Sequence, residues 1–153
     1  MPQRTISGLS ESDREALVIR WRRLLILGLI DYLEGTNNFG KLIIKELVDM
    51  REGVIKAYAK NLNIPLYTDQ GWRRFIDILA DIQNHPDVPD DVKNKLKEIE
   101  DFFTSRQFSF QRINFSLKDL RNEETHHLNL PDIPRETVLR VWRSFYDLIV
   151  TVD

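Results

Sequence analysis

Apolar residues recur at spacings of three and four along most of the chain, which is the period of an amphipathic helix. The first stripe follows a capping box that runs from Ser12 to Glu15, and it ends before Gly35, a residue suited to a helix C-cap. Its members are Leu17, Trp21, Leu24, Leu25, Gly28 and Tyr32. This spacing predicts a first helix of about six turns.

Five further helices are predicted from the same spacing and from proline and capping signals. They begin near Asn38, Asp69, Pro89, Ser116 and Pro134. The second should end before Ile64-Pro65, because proline disfavours a helical residue ahead of it. The third should end near Asn84. Pro134 suits the first position of the last helix, where its missing N–H donor is not needed.

The predicted fold class is all-α, an up-and-down bundle of four to six helices. No segment is predicted to be a strand, and no repeat or linker divides the sequence. A length of 153 residues suits one domain, which we assign to residues 1–153.

Composition narrows the function classes. The chain has 42% apolar residues, a net charge of −2 and no cysteine, which excludes disulfides, thiolate nucleophiles and zinc knuckles. The apolar run at residues 24–30 is too short to cross a bilayer, and we interpret it as a buried helix segment. With no apolar leader at the N-terminus, we expect a cytoplasmic protein without a membrane partner.

Candidate chemistry is concentrated in one short run, Arg121-Asn122-Glu123-Glu124-Thr125-His126. Histidine exchanges a proton near neutral pH, arginine binds phosphate through a planar fork, and asparagine orients either group. These residues suit attack of an RNA 2′-hydroxyl on the adjacent phosphate, which leaves a 2′,3′-cyclic phosphate. Asn122 and His126 share a helix face, which makes His126 a better candidate than His127. We expect neither a metal nor another cofactor.

The pattern of Arg121, Asn122 and His126 before a final amphipathic helix resembles the signature of the HEPN superfamily. The resemblance implies a helical domain that usually dimerises, so that two motifs form one composite site at the dimer axis. It implies metal-independent endoribonuclease activity in toxin–antitoxin or other defence systems. Its toxins paired with nucleotidyltransferase antitoxins typically have a tyrosine two residues after the histidine, where this chain has Leu128.

The function predicted first is therefore a metal-independent endoribonuclease with Arg121, Asn122 and His126 as catalytic residues. Its expected partners are single-stranded regions of RNA, a second copy of the chain, and an antitoxin or regulatory protein. The alternative is a non-catalytic HEPN-type module for nucleotide binding, dimerisation or adaptor work. A purely structural interpretation of the motif is that Arg121 pairs with Glu124 or Thr125 on an exposed helix.

Overall fold

The computed structural model describes residues 9–110, 112–126 and 133–151, and the side chains of these residues except 110, 124–126 and 148–151. Its helices are α1 (Glu11–Glu34), α2 (Gly40–Asn61), α3 (Phe75–Gln83), α4 (Asp90–Thr104), α5 (Leu117–His126) and α6 (Arg135–Thr151). The predicted helical-bundle class is confirmed. Of these described helices, none has the length and apolar character needed to cross a bilayer.

The ends of α1 show both a wrong and a confirmed prediction. The N-cap lies two residues before the predicted one: the hydroxyl of Ser10, not Ser12, accepts a hydrogen bond from the backbone N–H of Asp13 at 3.2 Å. An acidic residue three positions later suits either serine, so the local pattern did not distinguish them. Gly35 ends the helix as predicted, with a φ of 65° in the left-handed region that glycine adopts without strain.

The expectation of no strands is wrong. Two short antiparallel pairs occur among the described residues: β1 (Tyr67–Thr68) with β2 (Gly71–Trp72), and β3 (Phe108–Phe110) with β4 (Ile113–Phe115). The first occupies part of the segment predicted as the third helix, so α3 begins at Phe75 rather than near Asp69. Gly71 permits this turn with a φ of 107°.

Helix α2 lies at the centre of the bundle and packs against α1, α3, α5 and α6. Its inward face is formed by apolar side chains that are almost fully buried: Ile43, Ile44, Leu47, Val48, Met50, Val54 and Ile55. Because α2 contacts four other helices, charged side chains at its edges can pair with residues far away in the sequence.

Arg51 differs from the apolar residues of this face because it is charged, yet its side chain is 0% exposed. Its guanidinium pairs with Glu100 of α4 and lies 4.6 Å from the ring centre of Phe103 and 5.2 Å from that of Phe75. Burial lowers the pKa of Arg51, while Glu100 and Glu52 raise it. The carboxylates and aromatic faces offset part of the solvation that this cation loses, while its buried Nε and Nη2 form no hydrogen bond within the described residues.

Asp31, at the end of α1, organises the turn into α2. The start of α2 has no capping side chain of its own, but the buried carboxylate of Asp31 accepts the backbone N–H groups of Asn38 and Phe39 at 2.9 and 3.0 Å. The backbone carbonyl of Asp31 accepts a hydrogen bond from Arg135 at 3.1 Å. One residue therefore connects α1, α2 and α6.

Replacing Arg51 by alanine should lower the free energy of unfolding by about 3–5 kcal/mol, because it leaves two carboxylates facing a vacated core position. Arg51→Met should cost less, since methionine still packs on Phe75 and Phe103. Urea unfolding measures both changes. The control is Arg143→Ala, an exposed arginine of α6. An unfolding midpoint of Arg51→Ala equal to that of the wild type would contradict this account.

Replacing Asp31 by alanine should destabilise the protein by about 1–2 kcal/mol, the magnitude of a lost helix cap. The effect arises because the backbone donors ahead of α2 lose their acceptor. Thermal unfolding followed by circular dichroism would measure it against Asp87→Ala, an exposed aspartate in a turn. Equal melting temperatures for the two variants would show that the Asp31 contacts contribute nothing.

Candidate functional site

Helix α5 carries the motif, and a reciprocal capping box fixes its start. The Ser116 hydroxyl accepts the backbone N–H of Asp119 at 3.1 Å, and the Asp119 carboxylate accepts that of Ser116 at 3.2 Å. Leu117 and Leu120 are buried, and they hold the helix in the core. This packing brings the next residue, Arg121, against the side of α2.

Arg121 is bound by acidic residues of α2. Its Nη1 donates a hydrogen bond to Oδ1 of Asp49 at 2.8 Å, and its Nη2 lies 3.5 Å from Oε1 of Glu52. The Arg121 side chain is 21% exposed. Asp49 and Glu52 are three residues apart and so lie on one face of α2. The guanidinium fork that was predicted to hold phosphate therefore faces protein carboxylates.

The same Glu52 oxygen also lies 3.5 Å from Nη2 of Arg51. Glu52 thus lies between the two guanidinium groups, Arg121 on one side and Arg51 with Glu100 on the other. The five side chains form what we call the charge cluster. Its three carboxylates and two guanidinium groups give a formal charge of −1.

The rest of the motif follows Arg121 along α5. Asn122 is exposed, and Glu123 is partly buried. His126 is the last residue of α5, and its side chain lies outside the described residues, as does all of His127. On a regular helix, positions 122 and 126 share one face, whereas position 121 is rotated by about 140° from position 126.

The sequence interpretation did not name Asp49 and Glu52, which contact Arg121 in the structure. It named Glu124 or Thr125, and the side chains of both lie outside the described residues. The sequence did contain one sign that α2 carries a buried charge. Arg51 stands four residues from both Leu47 and Ile55, which places a charge in the middle of an apolar stripe.

Three arginines of α1 and α6 have partners within the protein. Arg20 pairs with Glu46 at 2.6 Å. Arg135 donates to the backbone carbonyls of Asp31 and Thr36, and Arg140 lies over a phenylalanine ring while donating to a glutamine. Arg22, Arg23 and Arg143 are exposed. Part of the basic surface thus stabilises the fold.

The interpretation of residues 24–30 as a buried segment is wrong. Leu24 is fully buried, but five large apolar side chains in the second half of α1 are between 49 and 72% exposed: Leu25, Ile26, Leu29, Tyr32 and Leu33. We call this set the α1 apolar face. Trp72 is also 69% exposed, and its ring packs at a tilt on that of Tyr67 in the first hairpin.

No protein-family model, curated protein or solved structure matches this chain. The HEPN resemblance therefore remains a prediction from six residues and their position in the sequence. Among the described residues, no group of three or more histidine or acidic side chains is arranged to hold a metal ion.

A double-mutant cycle between Arg121 and Asp49 should give a coupling energy of about 1 kcal/mol in favour of the pair, because both side chains are partly shielded from water. Alanine substitutions, alone and together, would be compared by urea unfolding. The control cycle is Lys95 with Asp147, whose closest charged atoms are 3.7 Å apart. A coupling energy of zero for Arg121 and Asp49 would exclude a stabilising role for this contact.

Proposed function

We propose that this domain is a non-catalytic helical binding module that acts by associating with protein. The observation that carries this proposal is the charge cluster, because it engages the arginine on which phosphate chemistry would depend. Asp49 and Glu52 provide Arg121 with carboxylate ligands of the kind that a phosphate would replace.

An RNA phosphate approaching Arg121 would also approach the carboxylates of Asp49 and Glu52. At an effective dielectric constant of 20, two like charges 4 Å apart repel by about 4 kcal/mol. A cluster with a formal charge of −1 therefore opposes binding of a phosphate unless the ion pair first opens. That opening would also break an ion pair between α5 and α2.

The α1 apolar face supports the binding part of the proposal. Exposed apolar side chains scattered singly are ordinary on a protein surface, whereas a contiguous set marks an interaction site. Four of its five residues, Leu25, Leu29, Tyr32 and Leu33, recur at spacings of three and four along α1. They form a stripe on the outside of the bundle.

Metal-independent RNA cleavage is the second candidate, and the exposure of Asn122 favours it. Position 126 is one helical turn further along, on the same face of α5. In this alternative, His126 exchanges protons with the 2′-hydroxyl or the leaving 5′-oxygen, and Asn122 orients it. Arg121 would have to leave Asp49 before it could stabilise the developing charge.

Incubation with single-stranded RNA in EDTA distinguishes the two candidates. We expect no cleavage above that of buffer, and the same result for Arg121→Ala, Asn122→Ala and His126→Ala. The matched control is His85→Ala, a histidine in the turn between α3 and α4. End-group analysis identifies any product.

One outcome would overturn the proposal in favour of catalysis. Wild-type protein and His85→Ala would produce 2′,3′-cyclic phosphate ends, and folded His126→Ala would lose at least about a hundredfold in rate, as expected for a general acid or base. Equal cleavage by every variant would indicate a contaminating nuclease and would count against a site on α5.

A further inference from the structure

Part of the α1 apolar face forms one wall of a groove between α1 and α6. The two helices run antiparallel, because Arg135 at the start of α6 donates to the carbonyl of Asp31 near the end of α1, whereas Phe145, later in α6, stacks on Trp21, earlier in α1. The groove has a volume of about 340 Å³, and most of the side chains that line it are apolar: Leu25, Leu29, Tyr32, Val138, Leu139 and Trp142. A groove of this kind suits the apolar face of a third helix.

A cation lies near each end of the groove. Arg22 is seven residues before Leu29, so the two side chains are only about 20° apart around α1, and Arg22 continues the groove wall beyond Leu25. Arg22 is exposed, and its side chain forms no hydrogen bond or ion pair within the described residues. At the other end, Arg135 lines the groove and donates to backbone carbonyls rather than to a carboxylate.

We propose that an amphipathic helix of another protein packs in this groove, with apolar side chains against Leu29 and Leu139 and an acidic side chain at each end. The inference rests on the proposed function and names the partner of that binding module. Arg22 and the carbonyls that Arg135 contacts are about three helical turns, or about 16 Å, apart along α1. Acidic residues about eleven positions apart on one face of the partner helix would match this separation.

The charge of the groove disfavours a second copy of this chain as its occupant. Among the described residues that line it, the one acidic residue is Asp31, whose buried carboxylate accepts the backbone N–H groups of Asn38 and Phe39. Two copies docked groove to groove would therefore bring their arginines together without an exposed carboxylate to pair with them. The concave shape also favours a helix over a membrane, because a flat surface would not fill the groove.

Selection from a displayed library of helical peptides tests the proposal. Each peptide has leucines that recur every three or four residues, and glutamate, lysine or serine at random in the other positions. Wild-type protein should select peptides with two glutamates about eleven residues apart. A selected peptide should bind Leu29→Glu about thirtyfold more weakly or worse by fluorescence anisotropy, because that substitution places a carboxylate in the apolar groove.

The matched control for Leu29→Glu is Ile76→Glu on α3, because Ile76 is 64% exposed and lies on another helix. This variant should bind the selected peptide as the wild type does. Circular dichroism checks that both variants are folded.

Charge reversal at one end of the groove tests the predicted ion pair. Arg22→Glu should weaken binding of the selected peptide about tenfold, and lysine in place of the facing glutamate of the peptide should restore most of the affinity. The matched control is Arg23→Glu, since Arg23 is also exposed but points about 120° away from Leu29 around α1. Equal weakening by the two substitutions would contradict a direct contact at Arg22.

Three results of the selection would overturn the proposal: no enriched peptide, enrichment of lysine instead of glutamate, or selected peptides that bind Leu29→Glu as tightly as wild type. Two further results would overturn it by assigning the groove to another occupant. A wild-type dimer that Leu29→Glu dissociates in sedimentation velocity would indicate a second copy. Binding to phosphatidylglycerol vesicles that Leu29→Glu abolishes would indicate a membrane surface.

The groove is separate from the motif on α5, because neither Arg121 nor Asn122 lines it. None of these results therefore bears on RNA cleavage, and the proposed lack of catalysis stands or fails on the EDTA assay alone.

Discussion

A buried guanidinium group in the central helix constrains much of this bundle. Arg51 lies where the apolar stripe of α2 should be continuous, and the fold must supply both counter-charge and a polarisable surface. Glu100 provides the charge from α4, while Phe75 and Phe103 provide ring faces from α3 and α4. Glu52 extends the same electrostatic network to Arg121, so the placement of α5 is coupled to neutralisation of the core.

The sequence predicted best those helix ends that depend on a few neighbouring residues. The start of α4 at Asp90 and the end of α2 before Pro65 follow from capping and proline geometry, which a few consecutive residues determine. The two hairpins were missed because strands of two or three residues are too short to show an alternating pattern. The segment around Trp72 also has apolar spacing that a helix would share, and burial had to be known to reject it.

The candidate site shows a different limit of prediction from sequence. Asp49 and Arg121 are 72 residues apart, and their contact depends on how α5 packs on α2, which the spacing of residues within the motif does not reveal. The apolar run of α1 was misinterpreted for a related reason. Buried and exposed apolar side chains give the same local pattern in the sequence, and only the folded chain separates them.

The contacts at Asp31 also affect the groove of about 340 Å³ between α1 and α6, which is lined by Leu29, Tyr32 and Leu139. Arg135, near the start of α6, donates to carbonyls at the end of α1, and Asn37 donates to the backbone just before α6. The two walls are therefore connected at one end by hydrogen bonds and further along by the packing of Trp21 on Trp142. A groove held in this way is preorganised, so that its own backbone would lose little entropy if a ligand bound there.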